Sequence, residues 1–328
     1  MNRKPSGLTL SKAQVGFLQY KSAEGMSPTT LTTYEGHLRL WISCAGDIDV
    51  SDVTAGDLRG FIAWLRTEYT PRRVTGNKRP LSPKTIRNYW VTLCSFFTWA
   101  GNEFEITNPM KAVPAPRFEK APVEAFSKEE VEALLKACKF TREADTADRR
   151  TYRMYRRTAR RDQAIILTLL DTGLRASELC SLRIGDVDQK SGRVHIRHGV
   201  GGGAKFKKGR VVFLGKVARR ALWRYLAERD DDDEAPLFTS VSERSLTPNA
   251  LRILIGRLGD KSGVQKSHPH RFRHTFAITY LRAGGDLFTL QALLGHSSLE
   301  MVRHYAQIAE IDIRQAHRRA SPADNWRL

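Results

Sequence analysis

Tyr305 ends the stretch L-L-G-H-S-S-L-E-M-V-R-H-Y, which begins at Leu293. A phenol with a pKa of about 10 is a poor nucleophile at neutral pH, so a chemical role needs cationic neighbours and a group to take its proton. Candidates stand elsewhere in the chain. In H-P-H-R-F-R-H-T-F-A, from His268 to Ala277, His270 and Arg273 are three residues apart. On a helix they share a face and could converge on one phosphate, the arginine by two N–H bonds and the histidine by proton exchange. In D-T-G-L-R-A-S-E-L, from Asp171 to Leu179, Arg175 stands at a helix start. Backbone N–H groups and guanidinium there point the same way at a phosphate, although a surface salt bridge would explain the residue equally well. Lys205, Lys207 and Lys208 lie in a glycine-rich turn, where a lysine could protonate a leaving oxygen or simply keep the turn soluble. His274 is four residues from His270, which invites a metal reading. No carboxylate or cysteine completes a ligand set nearby, so His274 is assigned to packing or orienting its helix and no metal site is expected.

The elements that must carry these residues are mostly helical. Ser27 with Pro28, Thr54 with Asp57, and Ser82 with Pro83 are helix-start signals in the first hundred residues. With a helix from about Ser11 to Lys21 they predict a four-helix bundle over residues 5–107. Ile86, Tyr89, Trp90, Leu93, Phe96 and Phe97 form one stripe of the fourth helix, and their helical spacing favours packing over base stacking. From Asn108 to Val123 prolines recur at Pro109, Pro114, Pro116 and Pro122, which predicts an extended tether over residues 108–123. A second domain then fills residues 124–328. Its first helix starts at the capping box of Ser127 and Glu130, and an apolar helix runs from Ala164 to Leu170. Gly173 permits a sharp turn after that helix. Residues Arg193 to Arg197 and Arg210 to Leu214 read as the two strands of a hairpin around the lysine turn.

Charge points to a polyanionic partner. The chain has 328 residues and a formal charge of +19, from 54 basic against 35 acidic residues. Such an excess favours nucleic acid, because each neutralised phosphate releases counterions. Arg72, Arg73, Lys78, Arg79, Lys84 and Arg87, between the third and fourth helices, are candidates for backbone contact, and a merely solvated loop is the bland alternative. A second basic cluster contains Arg149, Arg150, Arg153, Arg156 and Arg157, with Tyr152 and Tyr155 between them. Asp230 to Glu234 should face away from any nucleic acid. No run reaches the roughly 18 apolar residues that a membrane span needs, and the N-terminus lacks a signal-type apolar core, so a cytoplasmic protein is expected. Cys44, Cys94, Cys138 and Cys180 form no C-x-x-C pair and read as reduced core thiols.

T-G-L-R-A-S-E-L, the hairpin lysine, H-R-F-R-H-T-F-A, and L-L-G-H-S-S with a tyrosine nine residues after its histidine occur in the order and spacing of one family. From about Phe126 to His317 the chain resembles the tyrosine recombinases, or phage integrases, with the Xer-type proteins as the nearest picture. The resemblance implies a mainly α fold with a small β-sheet. A SAM-like helical core-binding domain would clamp DNA, and a mixed α/β catalytic domain would follow it. It implies a catalytic set of Arg175, Lys205, His270, Arg273, His296 and the nucleophile Tyr305. Lys205 follows from aligning R-V-V-F-L-G, although Phe206 stands where the family commonly has glycine, and Lys207 and Lys208 remain alternatives. Phe272 replaces the usual leucine. The implied activity is site-specific cleavage and rejoining of double-stranded DNA through a 3′-phosphotyrosine, without a cofactor, by four protomers on two duplexes. Ile308, Ile311 and Ile313 would let the tail dock on a neighbouring subunit or fold on its own. The residues before the first helix are too few for the arm-binding domain of some integrases. A type IB topoisomerase and a non-catalytic DNA-binding protein are the competing readings.

Overall fold

The computed structural model describes residues 7–73, 76, 78–119, 123–141, 144–146, 149–152, 154–197, 209–295, 305 and 321–326. The chain divides into two compact units, Met1–Ala121 and Pro122–Leu328.

In the first unit the described residues form α1 (Leu10–Ala23), α2 (Pro28–Ala45), α3 (Ala55–Thr67) and α4 (Pro83–Phe104). Local chemistry sets their starts. The Ser27 hydroxyl accepts from the Thr30 N–H and the Ser82 hydroxyl from that of Thr85, each at 3.2 Å, and proline follows both caps. Thr54 and Asp57 cap each other reciprocally, at 3.2 and 2.9 Å. The core is aromatic. Phe17, Trp41, Phe96 and Phe97 are almost wholly buried, and Phe17–Phe96 and Trp41–Phe97 meet edge to face at 5.5 Å. Phe96 and Phe97 are therefore packing residues.

The proline-rich stretch departs from the expected extended tether. Pro109–Ala112 forms a 3₁₀ turn with proline at its first position, where no N–H is missed. Met110 and Val113 are buried in the bundle core, and Trp90 donates to the Val113 carbonyl at 3.1 Å. Its two large apolar side chains hold this half of the stretch on the bundle.

In the second unit the described residues form α5 (Lys128–Lys139), β1 (Ala144–Thr146), β2 (Arg149–Tyr152), α6 (Ala159–Thr172), α7 (Ala176–Ser181), β3 (Arg193–Ile196), β4 (Arg210–Phe213), α8 (Lys216–Leu226), α9 (Pro248–Ser262), α10 (Pro269–Arg282), α11 (Leu287–Leu294) and α12 (Pro322–Trp326). The architecture is mainly helical with two small antiparallel strand pairs, β1–β2 and β3–β4. At the centre is α6, whose Ala164, Ile165, Ile166 and Leu169 have no exposed surface and which packs against α5, α8 and α10. It starts five residues before the expected Ala164. A buried ion pair between Arg161 and Asp162, at 2.8 Å, extends it into the basic segment. β3 and β4 pair in register Arg193↔Phe213 to Ile196↔Arg210, with Val194, Ile196 and Val212 turned into the core. The β1–β2 pair was not expected; its residues read as a charge run.

Cys138 and Cys180 are buried and Cys94 is half-buried, but Cys44 is exposed near the end of α2, against the expectation of a core thiol. Among the described residues no helix is long and apolar enough to cross a membrane.

Candidate active site

Three turns in the second unit bring together residues far apart in sequence. The first follows α6. Gly173 has φ +61°, and a Cβ there would lie 2.6 Å from the Phe276 ring and 2.9 Å from Leu294, so glycine is required on conformation and on space. This turn delivers Arg175 to the start of α7, where its N–H donates to the Glu178 carboxylate at 2.8 Å. The second is the start of α10. Pro269 occupies the first helical position, and the His268 ring accepts from the Arg271 N–H at 3.1 Å. The third is the end of α11, which Gly295 terminates at φ +63°.

The two expected arginines meet at that third turn. Arg273 is 1% exposed and donates to the carbonyls of Gly173 at 2.9 Å and Leu294 at 2.7 Å. Arg175 reaches the carbonyls of Leu294 at 3.5 Å and Gly295 at 3.4 Å. The end of a helix carries the negative pole of its dipole, which suits both cations. Burial, reinforced by the nearby Arg175 charge, lowers the Arg273 guanidinium to about 9, so it remains charged at neutral pH.

Sequence reasoning missed two further members. Glu178 is 5% exposed and accepts from Arg175 at 2.9 Å and from both terminal nitrogens of Arg210 at 2.9 and 2.8 Å. Arg210 also donates through Nε to the Leu293 carbonyl at 2.8 Å. Burial alone would raise the Glu178 carboxyl, but hydrogen bonds and charge from Arg210, with the Arg175 N–H and charge, bring it down to about 2. Glu178 had a signal, since a residue three past a helix-starting arginine lies over it. Arg210 had none, because a strand arginine beside a lysine turn looks like a solubilising residue.

Tyr305 belongs to this neighbourhood. It is 5% exposed and packs with Ala277, Ile278, Leu281, Leu290 and Leu294. Burial raises its phenol above the ordinary value, while the charges of Arg273 and Arg175 pull it back. His274 Nδ1 and the Tyr305 hydroxyl are 2.8 Å apart. The contact involves a histidine outside the expected catalytic set. His274, assigned to packing, touches the phenol. His270, a member of the expected catalytic set, lies one turn away on α10 with an exposed side chain, its ring edge-on to His274 at 4.4 Å. Lys205 and His296 lie outside the described residues, as do Lys207 and Lys208 and the tail isoleucines.

The candidate DNA contacts fall into two groups. Arg72, Lys78, Arg79, Lys84 and Arg157 are exposed. Arg87, however, is half-buried, donates to the Pro116 carbonyl at 3.1 Å and lies over the rings of Trp90 and Phe118. Arg156 pairs with the fully buried Asp162 at 2.8 Å and donates to the Cys138 carbonyl at 3.2 Å, joining the end of α5 to the start of α6. Both have structural partners that local sequence did not reveal. Arg73 donates to the Arg79 carbonyl at 2.6 Å. Arg149 and Arg150 lie on β2, and Arg153 is outside the described residues.

Residues 124–311 match the model of the Phage integrase family, and the chain belongs to that family. Within it, the sequence is 30% identical over 306 residues, covering 93% of each chain, to "Tyrosine recombinase XerA" of Thermococcus kodakarensis. It is 30% identical over 298 residues, covering 88% of each, to "Tyrosine recombinase XerC" of Thermodesulfovibrio yellowstonii. The fold is similar to that of the Tn1549 transposon integrase in complex with a circular intermediate DNA, with TM-score 0.71 and 21% identity over 91% of this chain and 95% of that one. It is also similar to a lambda integrase dimer bound to a COC′ core site, with TM-score 0.66 and 17% identity over 90% and 97%.

Proposed function

We propose that this tyrosine recombinase cuts and rejoins a specific double-stranded DNA site by forming a covalent 3′-phosphotyrosine at Tyr305. The observation that carries the reading is the convergence of Arg175, Arg273 and the phenol of Tyr305 around the end of α11.

The chemistry follows from charge. Attack by the Tyr305 oxygen forms the O–P bond, and the bond from phosphorus to the 5′ oxygen breaks. Negative charge builds on the five-coordinate phosphorus in between. Arg175 and Arg273 hold that charge by exchanging their present carbonyl partners for phosphate oxygens. The phenol proton passes to an imidazole of α10. By resemblance, Lys205 gives a proton to the departing 5′ oxygen and His296 donates to a non-bridging oxygen. The phosphotyrosine keeps the phosphodiester's free energy, so a 5′ hydroxyl from a second duplex reverses the reaction and exchanges strands without a cofactor. Four protomers on two duplexes supply the second 5′ end, and the protein acts in the cytoplasm. The exposed cations Arg72, Lys78, Arg79, Lys84 and Arg157 are assigned to the DNA backbone.

A nicked suicide substrate made from DNA flanking the protein's own gene tests this. The expected result is a covalent adduct with the native chain, none with Tyr305→Phe despite retained DNA binding, and joining of the trapped strand to a partner duplex. An adduct with Tyr305→Phe overturns the assignment of the nucleophile. Adducts that never join a second duplex indicate a topoisomerase instead.

A further inference from the structure

We infer that Arg210 is a positioning residue for strand cleavage: it fastens the base of the lysine-bearing hairpin to Glu178 and to the end of α11, and so registers the leaving-group side of the site against the arginine pair. The inference rests on the cleavage reaction proposed above.

Arg210 stands where its strand would ordinarily place an apolar residue. In β4 and the residue after it, Val212 and Leu214 are buried and Phe213 is exposed, so alternation turns Arg210 to the core face as well. Its side chain is 15% exposed. A guanidinium on that face needs its donors met. Nη1 and Nη2 donate to the two Glu178 carboxylate oxygens at 2.9 and 2.8 Å, and Nε donates to the Leu293 carbonyl at 2.8 Å. The fit at α11 is close. A Cβ on Gly295 would lie 3.0 Å from Nη1 and 3.2 Å from Cδ of Arg210, so the helix end rests directly on this side chain.

The same residue closes the hairpin. Ile196 and Arg210 are the last pair of the β3–β4 ladder before the turn. Lys205 stands five residues before Arg210. A chain of that length reaches at most about 17 Å even when fully extended, so the place where Arg210 is held limits where a lysine of the turn can go. Glu178 carries the other half of the link, since it also accepts from Arg175 at 2.9 Å. One carboxylate thus joins an arginine assigned to the phosphate to the strand that follows the proton donor. Replacing both members of a buried ion pair by apolar side chains is often neutral for stability, so what this pair contributes is register. In the reaction the Tyr305 oxygen bonds to phosphorus as its proton passes to an imidazole of α10. The bond from phosphorus to the 5′ oxygen breaks, its electron pair leaves on that oxygen, and a lysine ammonium supplies the proton taken up there. A shifted hairpin therefore weakens proton delivery to the leaving group. Arg175 keeps its own contacts to Glu178 and to the carbonyls of Leu294 and Gly295.

The test is single-turnover cleavage of the nicked suicide substrate, made with the natural 5′ oxygen or with sulfur in its place at the scissile phosphate, with DNA affinity measured alongside. A departing alkoxide needs a proton, whereas a thiolate, whose acid has a pKa of about 8.5, leaves without one. The native chain is compared with Arg210→Gln, Arg210→Lys, Arg175→Ala, Tyr305→Phe and alanine variants of Lys205, Lys207 and Lys208. With the oxygen substrate, Arg210→Gln should cleave about 10²-fold more slowly at unchanged DNA affinity. With the sulfur substrate that deficit should largely disappear, as should the deficit of one lysine variant, while that of Arg175→Ala remains. A deficit in Arg210→Gln that persists with sulfur means that Arg210 acts through the arginine pair or the fold alone, and overturns the inference. Native cleavage of the oxygen substrate by Arg210→Gln does the same. Native rates in all three lysine variants also overturn it and leave Tyr305 as the nucleophile. If Arg210→Gln does not fold, Arg210→Lys decides the matter, because it keeps a positive charge beside Glu178 but lacks the planar fork that holds both carboxylate oxygens and the Leu293 carbonyl. A deficit suppressed by sulfur is again expected, and a native rate overturns the inference. No adduct with the native chain, or an adduct with Tyr305→Phe, would instead overturn the underlying reading.

Discussion

The site depends on one carboxylate between two guanidinium groups. Glu178 is depressed to about 2 from 4.5, so its ionised form favours the folded state above pH 4.5, and that contribution is lost as pH falls toward about 2. At neutral pH it is worth about 3 kcal/mol. Acid titration of urea stability should show a loss in that window which Glu178→Gln lacks. At pH 7 the same substitution leaves Arg175 and Arg210 uncompensated and should reduce stability by about 3–5 kcal/mol, measurable by urea denaturation. Arg273 has the opposite sign. Its lowered guanidinium value means that the buried charge works against folding at neutral pH. At this scale the sequence was partly legible. Arg175, His270, Arg273 and Tyr305 stand out by type and spacing, but the bond from His274 to Tyr305 spans 31 residues and no local pattern encodes it.

Helix ends position the chemistry, and Gly173 is the most constrained of them. Gly173→Ala places a methyl against Phe276 and Leu294 in a left-handed conformation. It should reduce stability by about 1–3 kcal/mol, by thermal melting, and slow cleavage because the Gly173 carbonyl that holds Arg273 must shift. Arg156→Ala removes a partner of the buried Asp162 and should destabilise the unit without altering how DNA affinity depends on salt. Helix starts were legible because capping is local: Ser27, Thr54, Ser82 and Ser127 each cap as their spacing predicts. The β1–β2 pair was not legible, since its strands lack an apolar alternation and are recognised only by backbone pairing. The proline-rich stretch misled for a related reason. Its prolines set local backbone, but the burial of Met110 and Val113 decides where it lies.

For the whole chain, charge governs the encounter with DNA. With a formal charge of +19, the logarithm of affinity should fall linearly with the logarithm of salt concentration, by about 0.9 per phosphate contacted. Replacing an exposed cation such as Lys84 or Arg157 by alanine should reduce that slope by about 1 if it contacts phosphate, as read from binding titrations at several salt concentrations. Each unit has its own buried core. Residues 1–121 and 122–328, expressed separately, should each melt cooperatively in calorimetry. The two-unit division was foreshadowed by proline, but its position was set by burial of the stretch that follows α4.

The carbonyls of Leu293, Leu294 and Gly295 accept from three arginines at once. They act as an internal substitute for the anion, so a small ion such as inorganic phosphate must evict peptide oxygens merely to enter and gains little by doing so. A duplex gripped along its length has many other contacts with which to offset that exchange. Under the proposed chemistry, this exchange would favour a duplex over free phosphate or nucleotides, a preference set by how a single helix ends.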